Sequence, residues 1–376
     1  MKSARWRRLM FGPLLAVCAL SGSGCAPEIE KPTLEDMALI GVMGIDYVDK
    51  KHMKVSVSVP VPSEKEKEST QLYAAVSKIP SEATIMLSSK ADRTISLSQL
   101  RVILFGEKFV REWGLRETIL DFYRNPAVGE NVVVAVVGGK AEDVIKGKYE
   151  NKPEINTYLN NLLRPREETA FTSFATLHDL VFMLTNQVSD PELPYLKKED
   201  GEIVISGVAA FRGEHMVGTL SQREGRFIQM VKGRRHLPSI SFIIEDEYAA
   251  GKRSQLVFDI IRSHSKVRSN GALNKPVVDV AVEVRGILFG YTGSRNLEDP
   301  SERSEITRKL GAEIEKEITL LLKKLQKKKW DPASIEESFR QKYRGEWGRS
   351  IGLELYQKAE FRVKAKVEII GTGTMN

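Results

Sequence analysis

Residues 304–328 read SEITRKLGAEIEKEITLLLKKLQKK, and residues 361–370 read FRVKAKVEII. Together they decide the fold class. In the first stretch Ile306, Leu310, Ile314, Ile318, Leu321 and Leu325 recur at three or four residues, which places them on one face of a helix. Glu313, Glu315 and Glu317 come early, and Lys323, Lys324, Lys327 and Lys328 come late, as the helix dipole favours. The lack of a sustained heptad argues against a coiled coil, and the early glutamates argue against a helix lying on a membrane. The second stretch alternates. Phe361, Val363, Ala365, Val367 and Ile369 face one way, and Arg362, Lys364, Lys366 and Glu368 face the other. One apolar helix stripe and one apolar sheet face need each other, so an α+β domain follows.

Strand patterns precede the helix. Ile203–Phe211 and Met216–Leu220 flank a turn at Arg212-Gly213-Glu214-His215, and further strands are expected at 226–231, 239–244, 256–264 and 277–289. The last strand is expected to return to the sheet begun at Gly207. The C-terminal α+β domain then spans 201–373, with its long helix at 304–328.

The region 33–196 is a second α+β region with room for two subdomains. Leu34, Met37 and Ala38 fit one side of a short helix. Strands at 42–47 and 54–61 form a hairpin turned at 49–52. A charged connection at 63–70 leads to a strand at 83–87. The run at 101–105 reads as a buried strand, helices at 107–113 and 115–123 are separated by Gly114, and 132–137 reads as a strand buried on both faces. Gly138-Gly139 turn the chain into a helix at 140–145, and further helices are expected at 155–163 and 171–184. The stretch 188–200, rich in proline and charge, is the expected boundary. The overall expectation is a multi-domain α+β chain with mixed and antiparallel sheets, each packed with helices.

Residues 1–25, MKSARWRRLMFGPLLAVCALSGSGC, describe an export signal: four basic residues, an apolar run from Leu9 to Leu20, then small residues. Twelve apolar residues fall short of the roughly 20 that cross a hydrocarbon core. Ser23 and Gly24 before Cys25 resemble a bacterial lipobox, with Gly22 where leucine is usual. Cys25 is therefore the expected lipidation site, after removal of residues 1–24, with 25–32 a polar linker. The formal charge is +7, of which the signal carries four, leaving about +3. That gives little reason for a nucleic-acid partner. With Cys18 removed, Cys25 is the remaining cysteine, so neither a disulfide nor a cysteine metal cluster is expected.

The chain lacks G-x-S-x-G, HExxH, CxxC, P-loop and EF-hand patterns. Gly138-Gly139 sits where some folds bind phosphate, but without the required spacing; a tight turn explains it. Asp46 reads as a strand-end or turn carboxylate. Histidines at 52, 178, 215, 236 and 264 are scattered. His178 beside Asp179 does not define a metal site, and Arg234-Arg235-His236 reads as an exposed basic loop. Glu64/Glu66, Glu245/Asp246 and Glu313/Glu317 belong to charge runs. The expectation is a non-enzymatic chain with no catalytic, cofactor-binding or metal residues. Two alternatives are a generic surface lipoprotein that binds a ligand or cell-wall component, and an extracytoplasmic enzyme whose groups assemble only in space.

Taken in order, several stretches resemble the Ger(x)C family, the C subunits of spore germinant receptors. They are MALIGVMGID (37–46) after Cys25, VILFGEKFVREWGLRETILDFYRNP (102–126) with VAVVGGKAEDVI (134–145), and GVAAFRGEHMVGTLSQREGR (207–226). Trp330-Asp331-Pro332, Trp347 and the final KVEIIGTG (366–373) complete the series. Ala26-Pro27 replace the family's tryptophan-aspartate pair. The resemblance implies an acylated, palmitate-type lipoprotein on the outer face of the inner spore membrane, with three α+β domains. It implies partners as well: a membrane-spanning A subunit and a B subunit resembling an amino-acid transporter. Together they would support nutrient-triggered germination. It carries over no catalytic residue and no cofactor.

Overall fold

The run VVAVV, Val133–Val137, is a strand buried on both faces, which is why no polar side alternates within it. The computed structural model describes residues 33, 36–61, 69–164, 174–186, 188–246, 251 and 253–372. Residues 1–37 form one unit and 38–376 a second, to which everything below belongs apart from Met37. Cys25, the leader, Glu64 and Glu66 lie outside the described residues.

In chain order the first strands are β1 (Met37–Leu39), β2 (Val42–Tyr47), β3 (Met53–Val61), β4 (Ser69–Ser77), β5 (Thr94–Ser96), β6 (Val102–Gly106), β7 (Val133–Val137), β8 (Glu192–Glu199), β9 (Glu202–Arg212) and β10 (His215–Ser221). β1 and β5 pair separately. The other eight form one sheet in the order β10-β9-β8-β7-β6-β2-β3-β4. β2, β6, β7 and β8 run parallel, and an antiparallel pair extends each end.

Helices cover both faces of this sheet. On one lie α1 (Pro80–Ser88), α2 (Glu107–Glu112), α3 (Arg116–Arg124) and α6 (Leu177–Thr185), packed on Ile45, Phe105 and Val134. On the other lie α4 (Ala141–Ile145) and α5 (Ile155–Leu163), packed on Val102, Leu104 and Ala135. The β9–β10 hairpin serves two cores. Ala209, Phe211 and Met216 join the first, while Val208, Ala210 and Leu220 join the core of the C-terminal half.

That second core includes α7 (Gln222–Val231) and a four-stranded sheet ordered β11 (Ile240–Glu245), β12 (Arg253–Ser269), β13 (Val277–Tyr291) and β14 (Glu360–Gly371). β13 and β14 are parallel. Parallel neighbours require a crossover, and here it carries α8 (Pro300–Lys328), α9 (Glu336–Arg340) and α10 (Arg349–Lys358). All six stripe residues of α8 are buried. Its Glu315 carboxylate accepts the Ala365 N–H at 2.9 Å, so the helix blocks part of the unpaired edge of β14.

The chain is therefore α+β, with mixed and antiparallel sheets packed with helices. Several local expectations differ. Met37 and Ala38 lie in a strand. Residues 83–87 are helical in α1, because Pro80 opens the helix and Ala83 and Leu87, four apart, point into the core. β4 arises from a weakly patterned stretch, STQLYAAVS. Residues 226–231 are helical because Ser221 and Glu224 form a capping box that starts α7. Residues 192–199 form β8, where Pro194 sits just before pairing with β7 begins at Tyr195. The last strand joins β13, while Gly207 belongs to the larger sheet.

Candidate functional site

Asp46 is the penultimate residue of β2 and is almost fully buried. Its Oδ1 accepts the Ala141 N–H at 2.8 Å and its Oδ2 accepts the Glu142 N–H at 2.9 Å. A strand thus caps α4 from 95 residues away. Burial raises the Asp46 carboxyl above its ordinary range, opposed by those two N–H bonds. Gly106 keeps the space open, since a Cβ there would lie 2.3 Å from Asp46 Oδ1, while Gly139 is needed for its backbone, with φ +118°. The glycine pair therefore makes a turn, and the donors that would hold a phosphate are already used by Asp46.

The other candidates do not converge. His52 pairs with Asp49 at 3.0 Å and His178 lies 3.9 Å from Glu130, all exposed. Asp179 caps its own helix through Thr176. His236 and His264 are exposed. Among the described residues, no group of three or more His, Cys, Asp or Glu is arranged to hold a metal. Glu313 pairs with Lys316 within α8, whereas Glu317 accepts from Arg223 of α7 at 2.9 Å, a half-buried tie between the two helices. Glu245 is exposed, whereas Asp246 is buried and accepts from the Ser254 and Tyr291 hydroxyls and Arg295 Nε.

The Trp330-Asp331-Pro332 motif leads to a denser cluster. Asp331 follows α8, and its carboxylate accepts the Ile335 and Glu336 N–H groups at 2.9 and 2.7 Å. It thereby starts α9, which none of its neighbours in sequence caps. The Asp331 N–H donates to Asp190 Oδ2 at 2.8 Å, and the Asp190 N–H donates back to the Asp331 carbonyl at 3.0 Å. Asp190 Oδ1 also accepts from the Gly213 N–H at 3.1 Å and from Arg349. Arg349 donates to the Ser189 carbonyl at 2.7 Å. Trp330 lies buried beneath Gly218, and its carbonyl accepts from the Tyr356 hydroxyl at 2.9 Å.

Glu336 completes the cluster without sharing its hydrogen bonds. It is fully buried, both carboxyl oxygens lack a hydrogen-bond partner, and Arg349 Nε is 3.8 Å away. Burial, then the charge of Asp331, pushes Glu336 well above the usual glutamate range. Burial raises Asp331 too, but two backbone N–H bonds oppose it. Glu336 is thus the carboxyl that keeps its proton, and one guanidinium serves the remaining acids. The cluster ties the segment leading into β8 to the end of α8 and the starts of α9 and α10.

The chain falls into two matched segments on either side of this tie. Residues 30–198 match the spore germination protein N-terminal domain, and residues 206–373 match the spore germination B3/GerAC-like C-terminal domain. The chain belongs to the Ger(x)C family of spore germination proteins. Across 350 residues it is 25% identical to spore germination protein GerQC of Bacillus cereus, covering 93% of this chain and 95% of that one. It is 22% identical to spore germination protein B3 of Bacillus subtilis (strain 168), over the whole of both chains. The crystal structure of the GerBC protein shares the fold, with a TM-score of 0.58 and 19% identity over 87% of this chain and 96% of that one.

The stretches that carry the resemblance acquire physical reasons in this structure. The GID segment supplies the cap, the GGKA segment supplies the helix it caps, and the tryptophan-aspartate-proline segment supplies the clamp. Asp190, Glu336 and Arg349 went unread in the sequence. A capping acid before Glu336 was the available signal; the contact across 141 residues had none. Among the described residues, no helix is long and apolar enough to cross a membrane.

Proposed function

We propose that this germination protein is a non-enzymatic lipoprotein subunit of a spore germinant receptor. Residues 1–24 serve as its signal peptide, Cys25 is its acylated anchor, and 25–32 link the anchor to the fold. It sits on the outer face of the inner spore membrane beside the A and B membrane subunits, where it supports assembly and nutrient-triggered signalling. Residues 33–196 and 201–373 act as its two working regions. The match over residues 30–198 and 206–373 carries this reading, because it spans all three cores. Tethering explains how a chain built around structural clamps contributes: it raises the effective concentration of a binding body beside its partners. Deleting the gene and following germination with nutrients, with a non-nutrient trigger as control, tests the role. The expected result is a lost response to at least one nutrient with the control intact. Unchanged responses to every nutrient, in a strain without a second receptor, overturn it.

A further inference from the structure

The outer face of the four-stranded sheet carries charge that the fold pairs only in part. Register sets its side chains in rows across β12, β13 and β14. Arg268, Asp279 and Arg362 form one row, and Lys266, Ala281 and Lys364 the next. His264, Glu283 and Lys366 follow, then Arg262, Arg285 and Glu368. All twelve are exposed. Seven are Lys or Arg and three are Asp or Glu, so the rows hold a net +4. The chain from Cys25 onward carries only about +3. Glu360, exposed at the start of β14 beside Arg362, lowers the net charge of the rows to +3, so the face carries a charge equal to that of the chain from Cys25 onward and the rest of the protein is close to neutral.

Local neutralisation is limited. Arg285 and Glu368 pair at 3.4 Å and Arg362 and Glu360 at 3.1 Å, but the row of Lys266 and Lys364 contains no acid. A depression of about 410 Å³ opens among Arg262, His264, Glu283, Arg285, Lys366 and Glu368. The exposed Arg235 borders the face, because its carbonyl accepts the Ser263 N–H at 2.9 Å. Phe289 and Ile370 stand exposed further along the same alternation.

We propose that this sheet face rests on an anionic phospholipid surface. A protein partner fits less well. Protein interfaces centre on buried aromatic or aliphatic anchors and are depleted of lysine. Here the centre is lysine and arginine, and the apolar side chains lie at one end. Basic clusters of this kind are drawn to anionic headgroups, with a strength that falls within a Debye length. The inference rests on the anchor reading for its place in the cell, where tethering raises the effective concentration of this face at the bilayer.

The test uses residues 25–376, which contain the whole compact unit, carrying Cys25→Ala so that no acyl chain contributes. Sedimentation with vesicles of equal phosphatidylglycerol and phosphatidylcholine is compared with pure phosphatidylcholine. Binding is expected to the anionic vesicles only, lost at high salt, and weakened at least roughly tenfold by Lys266→Glu with Lys364→Glu. The thermal midpoint of the double variant confirms folding; if it falls, Lys266→Gln with Lys364→Gln replaces it. No binding to anionic vesicles, or binding that ignores these substitutions in a folded variant, overturns the proposal. So does charge reversal that impairs germination in a chain that binds neither vesicle, which assigns the face to an acidic protein partner. Acyl mass at Cys25 of the native protein is read separately. Its absence beside intact vesicle binding removes the anchor and leaves the face.

Discussion

Asp190 and Asp331 hold each other by two hydrogen bonds, one from each backbone N–H, although 141 residues separate them. Asp190 lies in the N-terminal matched segment and Asp331 in the C-terminal one. Asp190→Ala strips acceptors from the Gly213 and Asp331 N–H groups and leaves Arg349 beside buried acids without its closest partner. Removing one member of such a buried pair costs about 3–5 kcal/mol. A lower urea midpoint is the expected outcome, with Asp190→Asn intermediate because it keeps one acceptor. Unchanged midpoints in both variants would show that the clamp carries no stability.

Glu336 gives the fold a pH dependence of known sign. In the folded chain its proton is held more tightly than in the unfolded chain, where the ordinary value is 4.5. The stabilisation from that proton is complete below 4.5 and declines as pH rises towards the raised folded value. Asp331 adds to the decline in the same direction. Each proton contributes a slope of at most about 1.4 kcal/mol per pH unit. Glu336→Gln removes one of the two groups, so urea unfolding across this range should show a shallower decline. Parallel curves for the two proteins would place the titration elsewhere.

What the sequence disclosed follows the range of the forces involved. The stripe of α8 and the alternation of β14 are local periodicities, and both were legible down to single side chains. Residues 226–231 carry a short apolar run that reads as a strand, although Ser221 and Glu224 mark a helix start; in the structure this run is the second half of α7, with Gly225 buried inside the helix. The roles of Asp46 and Asp190 were not legible at all. Each satisfies backbone donors about a hundred residues away or more, and no pattern along the chain announces a hydrogen bond of that kind. The candidate site was therefore visible as motifs but not as contacts.

Asp46 and Gly106 offer a pairwise test. Asp46→Ala leaves the first N–H groups of α4 uncapped, at a cost of about 0.5–2 kcal/mol. Gly106→Ala places a Cβ 2.3 Å from Asp46 Oδ1, and overpacking of this sort costs about 1–3 kcal/mol. The double variant should be less destabilised than the two single variants added together, because removing the carboxylate also removes the clash. Simple additivity in unfolding measurements would mean that Gly106 is required for a reason other than Asp46.

The proposed anchor at Cys25 is open to a direct test. Its place after Ser23 and Gly24 predicts diacylglycerol on the sulfur and cleavage before it. One acyl chain binds a bilayer only marginally, and stable anchoring takes a second chain or a basic surface. Cys25→Ala leaves at most the salt-sensitive basic sheet face, so after a high-salt wash the protein should move from the spore membrane fraction to the soluble fraction, and the nutrient response should fall with it. Globomycin should block processing of the wild-type chain and leave the variant unaffected. A Cys25→Ala protein that stays membrane-bound and supports full germination would show that the chain is retained by its partners alone, with Gly22 then marking a site that the lipoprotein peptidase does not use.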